Sequence, residues 1–157
     1  MRSTRNSQVP GDEVVVDTNV VLAAMIRPSG LGALLIKALD ENFLVNYTSE
    51  EALHELSLKI GLLAENGKLS SEWKRILARY LRGSLTVSPS REFNLSRDPN
   101  DNKWLEIAYE GKVGYILTWD DDLIALRDEN KVVCLEDHAL KILQPVEFYH
   151  EVLKRLC

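Results

Sequence analysis

Apolar residues along the chain fall into two alternating patterns. Short unbroken runs at Val14-Val15-Val16, Phe43-Leu44-Val45-Asn46-Tyr47, Leu85-Thr86-Val87, Val113-Gly114-Tyr115-Ile116-Leu117-Thr118 and Lys131-Val132-Val133-Cys134-Leu135 predict strands. The β-branched content of the first run suits a strand buried on both faces. Between the runs, apolar residues recur with helical spacing at Leu31, Leu34, Leu35, Ala38 and Leu39, then at Ala52, Leu53, Leu56, Ile60 and Leu63, then at Trp73, Ile76, Leu77, Tyr80 and Leu81. Pro145-Val146-Glu147-Phe148 opens a last helix with Val152 and Leu153 on its inner side. Pro28-Ser29-Gly30, Asn66-Gly67-Lys68 and Ser88-Pro89-Ser90 supply loops, Gly111-Lys112 ends a helix, and Thr48-Ser49-Glu50-Glu51 has the form of a capping box. Alternation of strand and helix predicts a three-layer α/β/α sandwich with a central parallel sheet. Residues 1–12 are polar and aperiodic and are expected to be a flexible N-terminal arm, leaving 13–157 as a single domain.

The polar residues at the strand ends change this picture most. Asp17 closes the first apolar run and is followed by Thr18 and Asn19, and Asp120 closes the run that ends in Thr118 and Trp119. In open α/β sheets, ligands bind outside the carboxyl ends of the strands. Asp17 can serve there as a helix cap or as an oxygen ligand for a hard cation. Asp98-Pro99 reads as a cap with proline at the first helical position, which puts Asp101 at the third, on the side of Leu105 and Ala108 and facing inward. Asp120, Asp121 and Asp122 repel one another, and a helix start needs only one of them, so the surplus calls for a cation. Glu55 lies at the edge of its helix's apolar stripe, with Leu58 and Leu62 on the following turns, where a carboxylate is costly without a partner. No Lys or Arg is expected among the four acids Asp17, Glu55, Asp101 and Asp120.

Charge modifies the reading less. The 157 residues are 45% hydrophobic, enough for one sizeable core, and carry a net charge of −5. That balance argues against a surface built mainly to grip nucleic acid, although two divalent ions would bring it to −5 + 4 = −1. Arg75, Arg79 and Arg82 line one helix face, where they could follow a phosphate backbone or simply be solvated; Arg2 and Arg5 belong to the arm. The two cysteines lack metal-ligand spacing, and Cys134 reads as core filling. The histidines, His54, His138 and His150, share no spacing. No apolar run is long enough to span a bilayer and no leader is evident, so a cytoplasmic protein is expected.

These motifs together resemble the PIN-domain nucleases, especially the toxins of bacterial and archaeal toxin–antitoxin pairs. The resemblance covers about residues 13 to 150. It rests on Val-Val-Asp17-Thr-Asn, the helix carrying Glu55-Leu, Arg-Asp98-Pro-Asn-Asp101, Ile-Leu-Thr-Trp-Asp120-Asp-Asp122-Leu and the closing Gln-Pro-Val-Glu-Phe. It implies that Asp17, Glu55, Asp101 and Asp120, with Asp122 as a fifth acid, hold Mg²⁺ or Mn²⁺ and cleave single-stranded RNA. Thr18, Asn19 and Asp98 would support them. It also implies a protein antitoxin and a homodimer. Trp119 departs from the pattern, which usually has glycine before that aspartate. Two other classes remain. A non-catalytic RNA- or protein-binding module could use the same scaffold. An aspartate-dependent phosphatase would need a second Asp where this chain has Asn19.

Overall fold

The computed structural model describes residues 12–156. Strand β1 (Glu13–Val16) is followed by α1 (Thr18–Ile26) and α2 (Leu31–Asp40), then β2 (Val45–Thr48), α3 (Glu50–Glu65), α4 (Trp73–Arg82) and β3 (Ser84–Thr86). An extended segment then leads to a 3₁₀ turn (Pro99–Asp101), α5 (Asn102–Gly111), β4 (Tyr115–Leu117) and the short α6 (Asp121–Ile124). The chain closes with β5 (Val132–Leu135), β6 (His138–Leu143) and α7 (Pro145–Phe148), which continues as a π-helical turn over Tyr149–Leu153.

The six strands form one sheet in the order β3-β2-β1-β4-β6-β5. All neighbours are parallel except β5, which pairs antiparallel with β6 at the edge. Successive side chains of a strand point to opposite faces, and β1 buries both. Val14 and Val16 pack with α1, α2, α4 and Phe148, whereas Val15 packs with Trp104, Leu105 and Ala108 of α5. That is the expected three-layer arrangement. A Cβ at Gly32 would lie 2.9 Å from the Val20 carbonyl oxygen, so α1 and α2 cross closely only because residue 32 has no side chain.

Several expectations need correction. The pattern of apolar positions predicts no helix at Thr18–Ile26, yet α1 is there and buries Val20, Val21, Leu22, Ala24 and Met25. The strand through Cys134 is not the last, because β6 inserts between β4 and β5. Cys134 is exposed, since it takes the outer position between buried Val133 and Leu135 on an edge strand. The expected capping box is absent: Ser49, not Thr48, is the cap, its hydroxyl accepts from the Ala52 amide at 3.2 Å, and Ala52 stands where a box needs Glu or Gln. Leu58 and Leu62 are exposed, so Glu55 does not sit among buried leucines. Leu81 is likewise exposed rather than part of the buried face of α4, and Ser70–Ser71 do not cap that helix, which begins after Glu72. Most of the proposed arm, with Arg2 and Arg5, lies outside the described residues, as does Cys157; Asp12 is buried, and its carbonyl accepts from the Val45 amide. Among the described residues, no single helix is long and apolar enough to cross a membrane.

Candidate metal centre

From β1 the chain builds β2 and β3 on one side and then crosses to β4 on the other, so the strand order reverses between β1 and β4. Ligand sites favour this crevice at the carboxyl ends. Val16 is in register with Leu117, so Asp17 and Thr118 leave the sheet side by side. The Asp17 amide donates to the Leu117 carbonyl at 3.0 Å. Asp17 also caps α1, its Oδ1 accepting from the Asn19 amide at 3.3 Å. Capping and site geometry are therefore not alternatives: the cap leaves Oδ2 to accept from the Thr118 hydroxyl at 2.7 Å. The same hydroxyl accepts from the Asp120 amide at 2.9 Å. One buried threonine thus fixes both strand-end acids. Its place between the apolar run and Asp120 is visible in the sequence, but a lone threonine there carries no signal that marks it as a site residue.

Asp120 caps α6 by accepting from the Asp122 amide. Asp98 caps the 3₁₀ turn through its bond from the Asn100 amide, and Asp101 ends that turn only 7% exposed. Asp98, Asp101 and Asp122 each bring a carboxylate oxygen within 4.8 Å of the others. The Oδ2 of Asp101 is buried without a hydrogen-bond partner. Burial, a hydrogen bond shared with Asp120 and the charges of Asp120, Asp98 and Asp17 push the Asp101 carboxyl up to about 8. Burial also raises Asp17, against the hydrogen bonds from Thr118 and Asn19 and together with the charges of Asp120 and Glu55. Asp17, Asp101 and Asp120 thus form one electrostatic unit, with Asp98 and Asp122 beside it. An unpartnered buried carboxylate oxygen among all-oxygen donors is the chemistry that a hard divalent cation fits.

Glu55 reaches this rim from α3, but not as a bare acid. The Lys103 ammonium, only 4% exposed, pairs with Glu55 Oε1 at 2.7 Å and donates to the Asn100 carbonyl at 2.6 Å. Asn100 Nδ2 donates to the same Glu55 oxygen at 3.3 Å. Burial opposes ionisation of Glu55, yet the hydrogen bonds from Lys103 and Thr18 and the charges of Lys103 and Lys59 outweigh it and hold its carboxyl below the ordinary range. The expectation that no Lys or Arg joins the acids is therefore wrong. Lys103 lies two residues after Asp101, on the first turn of α5, which carries it to the same place. The aspartate surplus is also partly answered within the chain, because Arg97 pairs with Asp122 at 2.6 Å. Arg97 is 82% exposed, so solvent screens that pair strongly.

The arginines of α4 are placed elsewhere. Arg75 pairs with Glu72, while Arg79 and Arg82 pair with Asp40. Asp40 ends α2 ahead of β2 and Arg82 ends α4 ahead of β3, so both mark the amino edge of the sheet, opposite the acids.

Residues 13–122 match the PIN domain family, a span that contains every one of these acids. The chain belongs to that family, whose members are generally metal-dependent nucleases acting on nucleic acid. It is also 38% identical over 144 residues to the uncharacterized protein MJ1680 of Methanocaldococcus jannaschii, covering 90% of this chain and 92% of that one. No solved structure matches it.

Proposed function

We propose that this protein is an endoribonuclease that cleaves single-stranded RNA at the acid rim with Mg²⁺ or Mn²⁺, acting in the cytoplasm as the toxin of a toxin–antitoxin pair. The observation that carries the reading is Asp101: a buried carboxylate with an unpartnered oxygen, pressed by Asp17, Asp98 and Asp120 at the switch point of the sheet. Such a group is costly to keep unless a cation or proton answers it. Asp17, Asp101 and Asp120 would hold the ion with Glu55, and Asp98 and Asp122 would complete its oxygen shell. When bound, the ion supplies a Lewis acid for water and phosphate oxygens and neutralises developing charge.

The chain's own residues do the positioning. Thr118 aims Asp17 and Asp120, the Asn19 amide holds the other Asp17 oxygen, and Lys103 with Asn100 orients Glu55. Residues around ligands commonly fix ligand orientation in this way, and losing one costs about 10- to 100-fold in affinity or activity. The acids supply no covalent nucleophile; the phosphatase reading lacks its second aspartate, because that position is Asn19.

The test is cleavage of a labelled single-stranded RNA by wild-type protein with Mg²⁺ or Mn²⁺, with chelator, and by Asp17→Asn and Asp101→Asn. Metal-dependent cleavage that both substitutions abolish, with circular dichroism unchanged, is the expected result. Undiminished cleavage in chelator ends the metal-dependent reading. RNA binding without turnover in the wild type leaves a binding module. Growth arrest on expression, relieved by a neighbouring gene product that co-purifies with the protein, tests the toxin role.

A further inference from the structure

We propose that the hollow beside Trp119 is a nucleobase-stacking subsite, in which the exposed indole takes one base of a single-stranded RNA and Arg27 takes an adjoining phosphate. The proposal rests on the ribonuclease reading of the acid rim and gives it a substrate contact outside the acids. Trp119 sits between Thr118 and Asp120, both tied to the site, yet its side chain belongs to neither core and is 42% exposed. Its ring lines a hollow of about 350 Å³ with Ala23, Ile26, Arg27 and Leu31. A ring that large, left partly open one residue from a proposed ligand, forgoes part of the stabilisation that burying its apolar surface would bring. Stacking a base would recover it, and every base offers a π-face.

The surroundings lead from the acids to this ring. Asn19, Ala23 and Ile26 are spaced i, i+4, i+7 on α1 and so share a face. Ala23 and Ile26 also wall a second hollow, which reaches Asn19 and Lys59 near the rim. Seven residues of helix span roughly 10 Å, within reach of a strand of a few nucleotides. Charge favours the same occupant. The chain is acidic at −5, and Arg75, Arg79, Arg82, Arg91, Arg97 and Arg127 are held by acids. Exposed Arg27 makes no ion pair among the described residues, and its stem lies against Gly30, where an added Cβ would stand 3.8 Å from Arg27 Cδ. A protein partner would need about 1,000 Å² of complementary surface. These two small hollows are divided by the Ala23–Ile26 ridge and edged by cations, which suits a base and a phosphate better.

The experiment uses ten-nucleotide single-stranded RNAs, intact or with one abasic position moved stepwise along the strand. Binding is followed by anisotropy with Mg²⁺ in the Asp101→Asn background, so that the strand stays whole, and wild-type cleavage of the intact strand is measured alongside. One abasic position should weaken binding about 5- to 100-fold, the usual worth of a stacked base. Adding Trp119→Ala should cost a similar factor on the intact strand and nothing further at that abasic position, while Trp119→Phe should keep most of the affinity. Arg27→Gln should reduce the log–log salt slope by about 0.7. If Trp119→Ala binds the intact strand as tightly as its parent, the subsite is wrong, and an apolar protein partner becomes the better occupant; cleavage by the wild type would then leave the nuclease reading standing. If the abasic pattern appears but the wild type never cleaves, the subsite holds and the nuclease reading falls.

Discussion

Asp101 shows how one residue can be both a structural liability and the centre of a site. Its carboxyl rises to about 8 from the ordinary 3.8 through burial and the neighbouring acids. Folding therefore favours its protonated form. The stability from that proton is complete below about pH 4 and is lost as pH climbs through 8. Metal-free protein should accordingly melt at falling temperature between pH 5 and pH 8.5, and Asp101→Asn should flatten that slope and melt higher than wild type at pH 8. Divalent metal competes with the proton, so its stabilisation of wild type should grow with pH. At a hundredfold excess over its dissociation constant it should approach about 2.7 kcal/mol where the acid is ionised. Thermal melts in chelator and in Mg²⁺ across this range check both statements; a wild-type slope shared by the Asn variant would remove Asp101 from the centre. The inward direction of Asp101 was legible because Leu105 and Ala108 lie one and two turns on. The Lys103–Glu55 pair was not, since nothing in the sequence spacing of α3 and α5 says that their side chains meet.

Elements were legible where their periodicity was distinct. Helices α2 and α3 have a polar face and revealed themselves; α1 reads Thr-Asn-Val-Val-Leu-Ala-Ala-Met-Ile and has almost none, because most of it is buried and its open face, Asn19, Ala23 and Ile26, holds a single polar residue. The β5–β6 hairpin was missed for a related reason. Its turn uses Glu136 at φ 55°, a conformation for which Gly or Asn would have been the recognisable signal. The start of α7 was readable, and the structure adds how it is fastened. Arg127 forks onto Glu147 at 2.8 and 3.1 Å while donating to the Ile142 carbonyl, and Glu147 accepts from the Gln144 amide at 2.8 Å. The Arg127 hydrogen bond, against partial burial and with help from Gln144 and Lys131, lowers the Glu147 carboxyl to about 2. A lowered acid stabilises above its ordinary value and loses that contribution as pH falls toward its folded value. Glu147→Gln should thus lower the melting temperature at pH 7 by the equivalent of about 1 kcal/mol, the usual worth of a cap allowing for solvent screening. The difference from wild type should shrink between pH 4.5 and pH 2. A gap that persists unchanged at pH 2 would mean that the fork contributes packing rather than charge.

The polarity of the sheet sorts charge over the whole molecule. Strands β1 and β4 both deliver acids at their carboxyl ends, whereas the helices returning beneath them carry Asp40, Arg79 and Arg82 to the amino edge. Sequence order was enough to place the acids together, because right-handed crossovers put every parallel strand end on one rim. It could not place the arginine stripe, whose spacing fits a phosphate track or an ordinary solvated face. The Asp40 pairs favour the second. An RNA strand lying across the acid rim would meet Arg27 and Lys59 along α1 and α3, not the far end of α4. Replacing Arg75, Arg79 and Arg82 together by Gln should therefore leave both RNA affinity and its salt slope as in the parent. In the same assay each phosphate contact removed would cost about 0.7 in the slope for a single strand, so loss of all three would be unmistakable. A flatter slope in the triple variant would mean that the strand wraps from the carboxyl to the amino edge of the sheet, and that the Asp40 pairs open to admit it.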